Sequence, residues 1–265
     1  MLAVALAFLA GLLIGSFLNV CIYRLPRDLS VVRPSRSFCP ACEKTIAWYD
    51  NIPLLSFAVL GGQCRHCRAR ISFRYPLVEL ATALWFAWAV GTLGPVPDAF
   101  RLCAFGAILI ALVVTDFEEQ ILPDEFTIGG AILGLALAPF IPVHPGIAYV
   151  LLHSRPEWIR SLAEALLGAA VSSLVLWLLR WTYEKVRHRE GLGLGDVKMV
   201  AMIGAFLGLQ GVLFTIMVGS ILGSVIGLGF IFLARKDAAT WELPYGSFLG
   251  IAGLAVAVAM ALRWI

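Results

Sequence analysis

The chain has 265 residues, of which 60% are apolar and 14% charged, with a mean hydropathy of +0.89. A water-soluble domain carries about 25% charged residues, so this composition excludes an ordinary soluble globule and points to a chain solvated by lipid. The formal net charge of +3 is too small to argue for nucleic acid, and no nucleic-acid partner is expected.

Apolar runs of about 17–25 residues, enough helix to cross a hydrocarbon core, recur outside residues 23–75 and are continuous rather than alternating. The predicted fold class is therefore an all-α polytopic membrane protein. Eight spans are expected, at 2–22, 76–94, 100–116, 125–143, 161–181, 196–210, 212–233 and 245–263. The first has no basic segment after Met1 and no small-residue cleavage site before Tyr23-Arg24, so a retained helix is expected rather than a secretion signal. The domain organisation read from this pattern is a first transmembrane helix at 1–22, a polar insert at 23–75 and a seven-helix membrane domain at 76–265.

Basic residues set the orientation, because Lys and Arg accumulate in cytoplasmic loops. The 23–75 insert holds nine, the 180–198 connection holds Arg180, Lys185, Arg187, Arg189 and Lys198, and the 234–244 loop holds Arg235 and Lys236. Arg101, Arg155, Arg160 and Arg263 fall on the opposite side. The insert is thus expected in the cytoplasm and both termini outside, with anionic lipid headgroups a natural neighbour of the basic loops.

An insert of about fifty residues is too short to fold on apolar burial alone. Cys39-Pro40-Ala41-Cys42 and Cys64-Arg65-His66-Cys67 are two C-x-x-C pairs, and four thiolates in such pairs can close a tetrahedral zinc site. Two disulfides are the competing pairing, but a reducing cytoplasm favours metal. Cys39, Cys42, Cys64 and Cys67 are the expected ligands, with His66 a lesser alternative, while Cys21 and Cys103 lie in apolar runs as packing residues. A four-sulfur site is coordinatively closed, so its role is to fold the insert.

Carboxylates at membrane depth are costly and therefore point to function. Glu79 and Glu164 stand near span beginnings, where the helix dipole or the headgroup layer accounts for an acid. Asp116 ends an apolar run, facing the negative pole of its helix, which a structural role explains poorly. Pro123 is read as a helix stop and Asp124 as an N-cap, leaving an acidic connection over 117–124. Asp196 opens a later span after Gly191, Gly193 and Gly195, glycines that admit unusual backbone angles and close approach of another chain. An N-cap role is the plainer alternative for Asp196. The segment has neither the preceding strand nor the Lys-Ser/Thr pair of a phosphate loop. Both aspartates fall at the cytoplasmic face on different helices. They are expected to form a pair in which one carboxylate activates water and the other hydrogen-bonds the scissile carbonyl.

Together these motifs carry a resemblance. Gly15-Ser16-Phe17-Leu18-Asn19-Val20, the cysteine pairs flanking Trp48-Tyr49-Asp50-Asn51-Ile52-Pro53, Arg74-Tyr75-Pro76-Leu77-Val78-Glu79, Asp116 before Pro123-Asp124, Gly193-Leu194-Gly195-Asp196-Val197-Lys198 and Pro244-Tyr245-Gly246-Ser247-Phe248-Leu249 resemble the bacterial type IV prepilin leader peptidases. That resemblance implies an inner-membrane aspartic endopeptidase with Asp116 and Asp196 as its catalytic pair and Glu118 in a lesser role. It implies substrates with short basic leaders, type IV prepilins or type II secretion pseudopilins, and methyl transfer from S-adenosylmethionine to the new amino terminus. Glu79 and Asp50 are candidates for the methyl-donor site. A proton- or ion-carrying transporter is the main rival and predicts paired broken helices; a protease with another substrate and a zinc-anchored scaffold are further alternatives.

Overall fold

The computed structural model describes residues 1–34, 36–188, 191–234 and 244–263. Arg189, Arg235 and Lys236 of the basic loops lie outside them. The described residues are helical, with no strand beyond two isolated bridges, Phe38 with Thr45 and Gln63 with Arg70. The helices are α1 (Leu2–Arg24), α2 (Leu55–Val59), α3 (Arg74–Leu93), α4 (Pro97–Glu119), α5 (Asp124–Leu137), α6 (Ile147–Leu151), α7 (Glu157–Arg187), α8 (Leu194–Ala234) and α9 (Tyr245–Ala261). Five stretches, Leu2–Arg27, α3, α4, α7 and Leu194–Gly227, are long and apolar enough to cross a membrane. The segments expected at 125–143, 196–210, 212–233 and 245–263 correspond to α5, the two limbs of α8 and α9. α5 ends well before 143, since Pro139 cannot continue the helix.

The chain divides into two compact units, Met1–Ala111 and Leu112–Ile265. In the first, α1 and α3 run antiparallel in tight contact. A Cβ on Gly15 would lie 2.7 Å from Glu79 Cα, and one turn on the Asn19 side-chain amide donates to Tyr75 O at 3.0 Å. Small residues are what let two helices approach so closely in lipid. Arg24, counted above only as a loop charge, is buried. Its guanidinium donates to the carbonyls of Ser30 (3.0 Å), Val31 (3.0 Å), Pro34 (2.8 Å) and Arg36 (3.3 Å) and so folds the first loop of the insert around one side chain.

In the second unit, α8 is not straight. Gly208 adopts φ +72°, ψ −177°, a left-handed position that only glycine takes at low cost. Met199, before this break, packs on Gly250 of α9, Gly211, just past it, meets Met260, and Gly219 returns to Leu249. The chain therefore reverses at Gly208 into two limbs that both lie along α9. Two separate spans were expected on either side of residue 211, and the break falls three residues earlier, at Gly208; no second broken helix pairs with it among the described residues as a transporter's repeats require.

The break frees the Leu209 N–H from its helical acceptor, and Glu164 Oε1 takes it at 3.2 Å while Glu164 Oε2 accepts the Ala148 N–H at 2.8 Å. This corrects the headgroup reading of Glu164. α7 begins at Glu157, not 161, which carries Glu164 two turns inward, where it is 1% exposed. Ser161 completes the same end, accepting from Val143 N–H (2.9 Å) and donating to Ala138 O (2.6 Å). The irregular backbone at this buried end is thereby satisfied by protein, as a membrane-embedded chain requires. A methyl at Gly208 would sit 3.0 Å from Glu164 Cγ and 3.1 Å from Val143 Cγ1. Gly208→Ala is expected to destabilise the second unit by roughly 1–3 kcal/mol, read as a lower midpoint of thermal unfolding in detergent.

Candidate active site and metal centre

The two expected aspartates come together in the second unit. Asp116 lies in the last turn of α4 and Asp196 in the first turn of α8; both are buried, and Asp196 lies within range of the Asp116 charge. Asp196 is not an N-cap. It is the third residue of its helix and reaches back to accept the Gly193 N–H at 3.2 Å, half of a capping box. Gly191, Gly193 and Gly195 do not have positive φ, so the expected unusual angles are not adopted, and the close approach seen at Gly195 is to this chain itself. A Cβ on Gly195 would lie 3.0 Å from Leu122 Cβ.

Asp116 is gripped from α9. Its Oδ2 accepts the Ser247 N–H at 2.6 Å and lies 2.8 Å from Ser247 Oγ, and Gly246 brings the α9 backbone onto the carboxylate, where a Cβ would lie 3.1 Å from Oδ1. Ser247 Oγ is also 3.1 Å from Val113 O. One hydroxyl proton serves one acceptor at a time. Ser247 can therefore donate to Asp116 when that group is ionised and turn to Val113 when Asp116 carries a proton. Ser247 was not assigned as a site residue; its sequence signals are a hydroxyl in the first turn of an otherwise largely apolar helix and its place inside the Pro244–Leu249 motif. Losing a hydrogen bond to a charged group costs about 1.5–3 kcal/mol, so Ser247→Ala is expected to lower kcat for peptide cleavage about 10- to 100-fold, measured with the zinc content unchanged.

Glu118 is exposed two residues from buried Asp116. Asp124 does not cap α5, whose N-cap is Pro123; it pairs with Lys198 at 2.7 Å. Helix α4 runs through Glu119, so the connection shrinks to 120–123, with Glu118, Glu119 and Glu125 flanking it.

The four cysteines also converge. Each pair sits in the same hairpin: Cys39 N–H bonds Lys44 O (3.0 Å) and Glu43 N–H bonds Cys39 O (2.8 Å), matched by Cys64 to Ala69 O (2.9 Å) and Arg68 to Cys64 O (2.9 Å). Glu43 and Arg68, four residues past the first cysteine of each pair, both take φ near +57° to +58°. All four Sγ atoms lie within 4.8 Å of one another without a disulfide. Cys39 Sγ and Cys67 Sγ are 3.8 Å apart, the edge of a tetrahedron whose zinc–sulfur bonds are about 2.3 Å. Backbone N–H groups of Cys67 and His66 lower the Cys64 thiol to about 7, which favours the ligating thiolate. His66 is not in the cluster, and Cys21 and Cys103 are buried elsewhere.

Asp50 forms a two-pronged pair with Arg65 (2.7 and 2.6 Å), whose hydrogen bond holds its carboxyl below the ordinary range. Glu79 accepts the Leu54 N–H at 2.9 Å.

Comparison with known proteins decides the family. Residues 9–93 match the Bacterial Peptidase A24 N-terminal domain and residues 103–228 the Type IV leader peptidase family. A protein of Aeromonas hydrophila called prepilin leader peptidase/N-methyltransferase is 36% identical over 94% of this chain and 88% of its own length. The chain belongs to the type IV leader peptidase family. Leader peptidases of the same name from Pseudomonas aeruginosa (36% identical, over 92% of this chain and 86% of theirs) and Myxococcus xanthus (40%, over 83% and 61%) are similar to it as well. No solved structure gives a significant match. Within this family the match covers both the cysteine insert and the segment that carries the two aspartates.

Proposed function

We propose that the chain is a prepilin peptidase: an intramembrane aspartic endopeptidase that removes the short basic leader of type IV prepilins and type II secretion pseudopilins and then N-methylates the new amino terminus. The observation that supports the protease is the approach of Asp116 and Asp196, two buried carboxylates from separate helices, the second within range of the first's charge. One takes a proton from water as it attacks the scissile carbonyl, and the other, protonated, donates a hydrogen bond to that carbonyl oxygen. Asp116 Oδ2 is held by Ser247, which leaves Oδ1 as its working oxygen. The acidic flank of Glu118, Glu119 and Glu125 attracts a basic leader.

Cys39, Cys42, Cys64 and Cys67 would hold zinc, a closed structural ion that folds the insert. S-adenosylmethionine would supply the methyl group; of the two carboxylates expected near it, Asp50 pairs with Arg65 and Glu79 accepts the Leu54 N–H. The domain reading stays as the sequence suggested, a first helix at 1–22, the zinc insert at 23–75 and the protease over 76–265. Loop charge supports placing the insert and the aspartates at the cytoplasmic face of the inner membrane.

The experiment is incubation of the purified protein with a prepilin, followed by mass spectrometry. The expected product has lost its leader and, when S-adenosylmethionine is added, gained one methyl at its amino terminus. An uncleaved precursor overturns the proposal.

A further inference from the structure

The buried seam between α1 and α3 contains a group of acceptors that folding alone does not account for. Glu79 is 7% exposed and accepts the Leu54 N–H at 2.9 Å, with the Ser16 hydroxyl near its carboxylate. No cation pairs with it among the described residues. One turn along the same seam stands Asn19, 2% exposed. Its Nδ2 is fixed by Tyr75 O at 3.0 Å, and turning the amide over would set two acceptors against each other, so the orientation is determined. That leaves Asn19 Oδ1 buried with no hydrogen-bond partner, a state that costs about 1–3 kcal/mol. Ser16 and Asn19 are three residues apart on α1, and Tyr75 and Glu79 four apart on α3, so all four lie along one pair of facing stripes.

The backbone above them is strained as well. Leu54, whose N–H is held by Glu79, has φ +60° and ψ −46°, a conformation that L residues rarely take and that tends to persist where a binding site over-determines it. A buried carboxylate without a counter-ion, a partnerless carbonyl oxygen one turn away and a strained lid residue make a site rich in acceptors. Such a site is complementary to a cation that also donates hydrogen bonds. A metal ion of the hard, oxygen-seeking type would need more oxygens than these to complete its shell. An ammonium group needs about three acceptors.

We infer that Glu79 and Asn19 form a binding site for a primary ammonium, the free amino terminus of the cleaved substrate. This rests on the peptidase and methyltransferase reading and names the part of the chain that would hold the methyl acceptor. Leu77 and Phe17, both exposed beside the seam, offer apolar surface to the first side chains that follow such a terminus.

The test is binding, not turnover. Two synthetic peptides spanning the apolar amino-terminal segment of a processed pilin, one with a free amine and one N-acetylated, are titrated against the purified zinc-loaded protein. Wild type is expected to bind the free amine at least tenfold more tightly. That preference should disappear in Glu79→Gln, fall in Asn19→Leu and persist in Asp116→Asn. Zinc content and elution volume report whether each variant is folded, and if Glu79→Gln is not, Asn19→Leu decides. Equal binding of both peptides by wild type, or an undiminished preference in the folded variants, overturns the site. Prepilin cleavage is assayed in parallel: a wild-type protein that cleaves but binds the two peptides alike loses only the ammonium site, whereas one that does not cleave loses the wider reading.

Discussion

Replacing either Asp116 or Asp196 by Asn is expected to abolish leader cleavage, lowering kcat by roughly 10³-fold or more, while the zinc content stays at the wild-type value. Asparagine keeps the size of the carboxyl and its ability to accept the Ser247 or Gly193 N–H, but it cannot pass a proton. The double variant should be little worse than either single one, because members of one catalytic unit are strongly non-additive. Methyl transfer to an already processed pilin should survive in both, since that reaction has no need of two carboxylates sharing a proton. A folded Asp116→Asn enzyme that still cleaves at near the wild-type rate would remove Asp116 from the mechanism and pass the role to Glu118.

The second large effect is expected at the insert. Each cysteine hairpin is held by only two backbone hydrogen bonds around its turn, and the insert contributes few buried apolar side chains. Metal binding then supplies most of its folding energy, about 10–16 kcal/mol on the scale of zinc-finger peptides. Substituting Ser for any one of Cys39, Cys42, Cys64 or Cys67 should reduce zinc from one per chain to near none and expose 25–73 to limited proteolysis, leaving α7, α8 and α9 intact. Elemental analysis that finds no metal in the wild-type protein would sink this account.

These sites were legible in the sequence to different degrees, for physical reasons. The cysteine hairpins are local: four cysteines within thirty residues state their geometry almost completely. Asp116 and Asp196 were legible because lipid makes any charge conspicuous. Ser247 was not, because a serine in an apolar helix is unremarkable until its partner is known, and Asp116 lies 131 positions away. Glu164 was misplaced because the hydropathic edge of α7 and its first hydrogen-bonded turn differ by four residues. Gly208 could not be told from Gly204 or Gly211 by periodicity, and what distinguishes it is a backbone angle set by tertiary packing. Arg24 was read as a topological charge because hydropathy does not show a guanidinium folded back onto four carbonyls.

The short α5 has a consequence for the surrounding lipid. Its 14 residues rise about 21 Å, against a hydrocarbon thickness of about 30 Å, and it turns Ile128, Ile132 and Leu133 outward. If it crosses the bilayer, as the sequence leads one to expect of 125–143, acyl chains beside it would have to shorten, tilt or yield to headgroups to match it. The same helix starts at the level of the aspartates, where Asp124 meets Lys198. Were α5 to cross the bilayer, the proposed cleavage, which consumes water, would be set where the bilayer is thinnest, and the length of the fatty acids around the protein would become one of the variables that govern its rate.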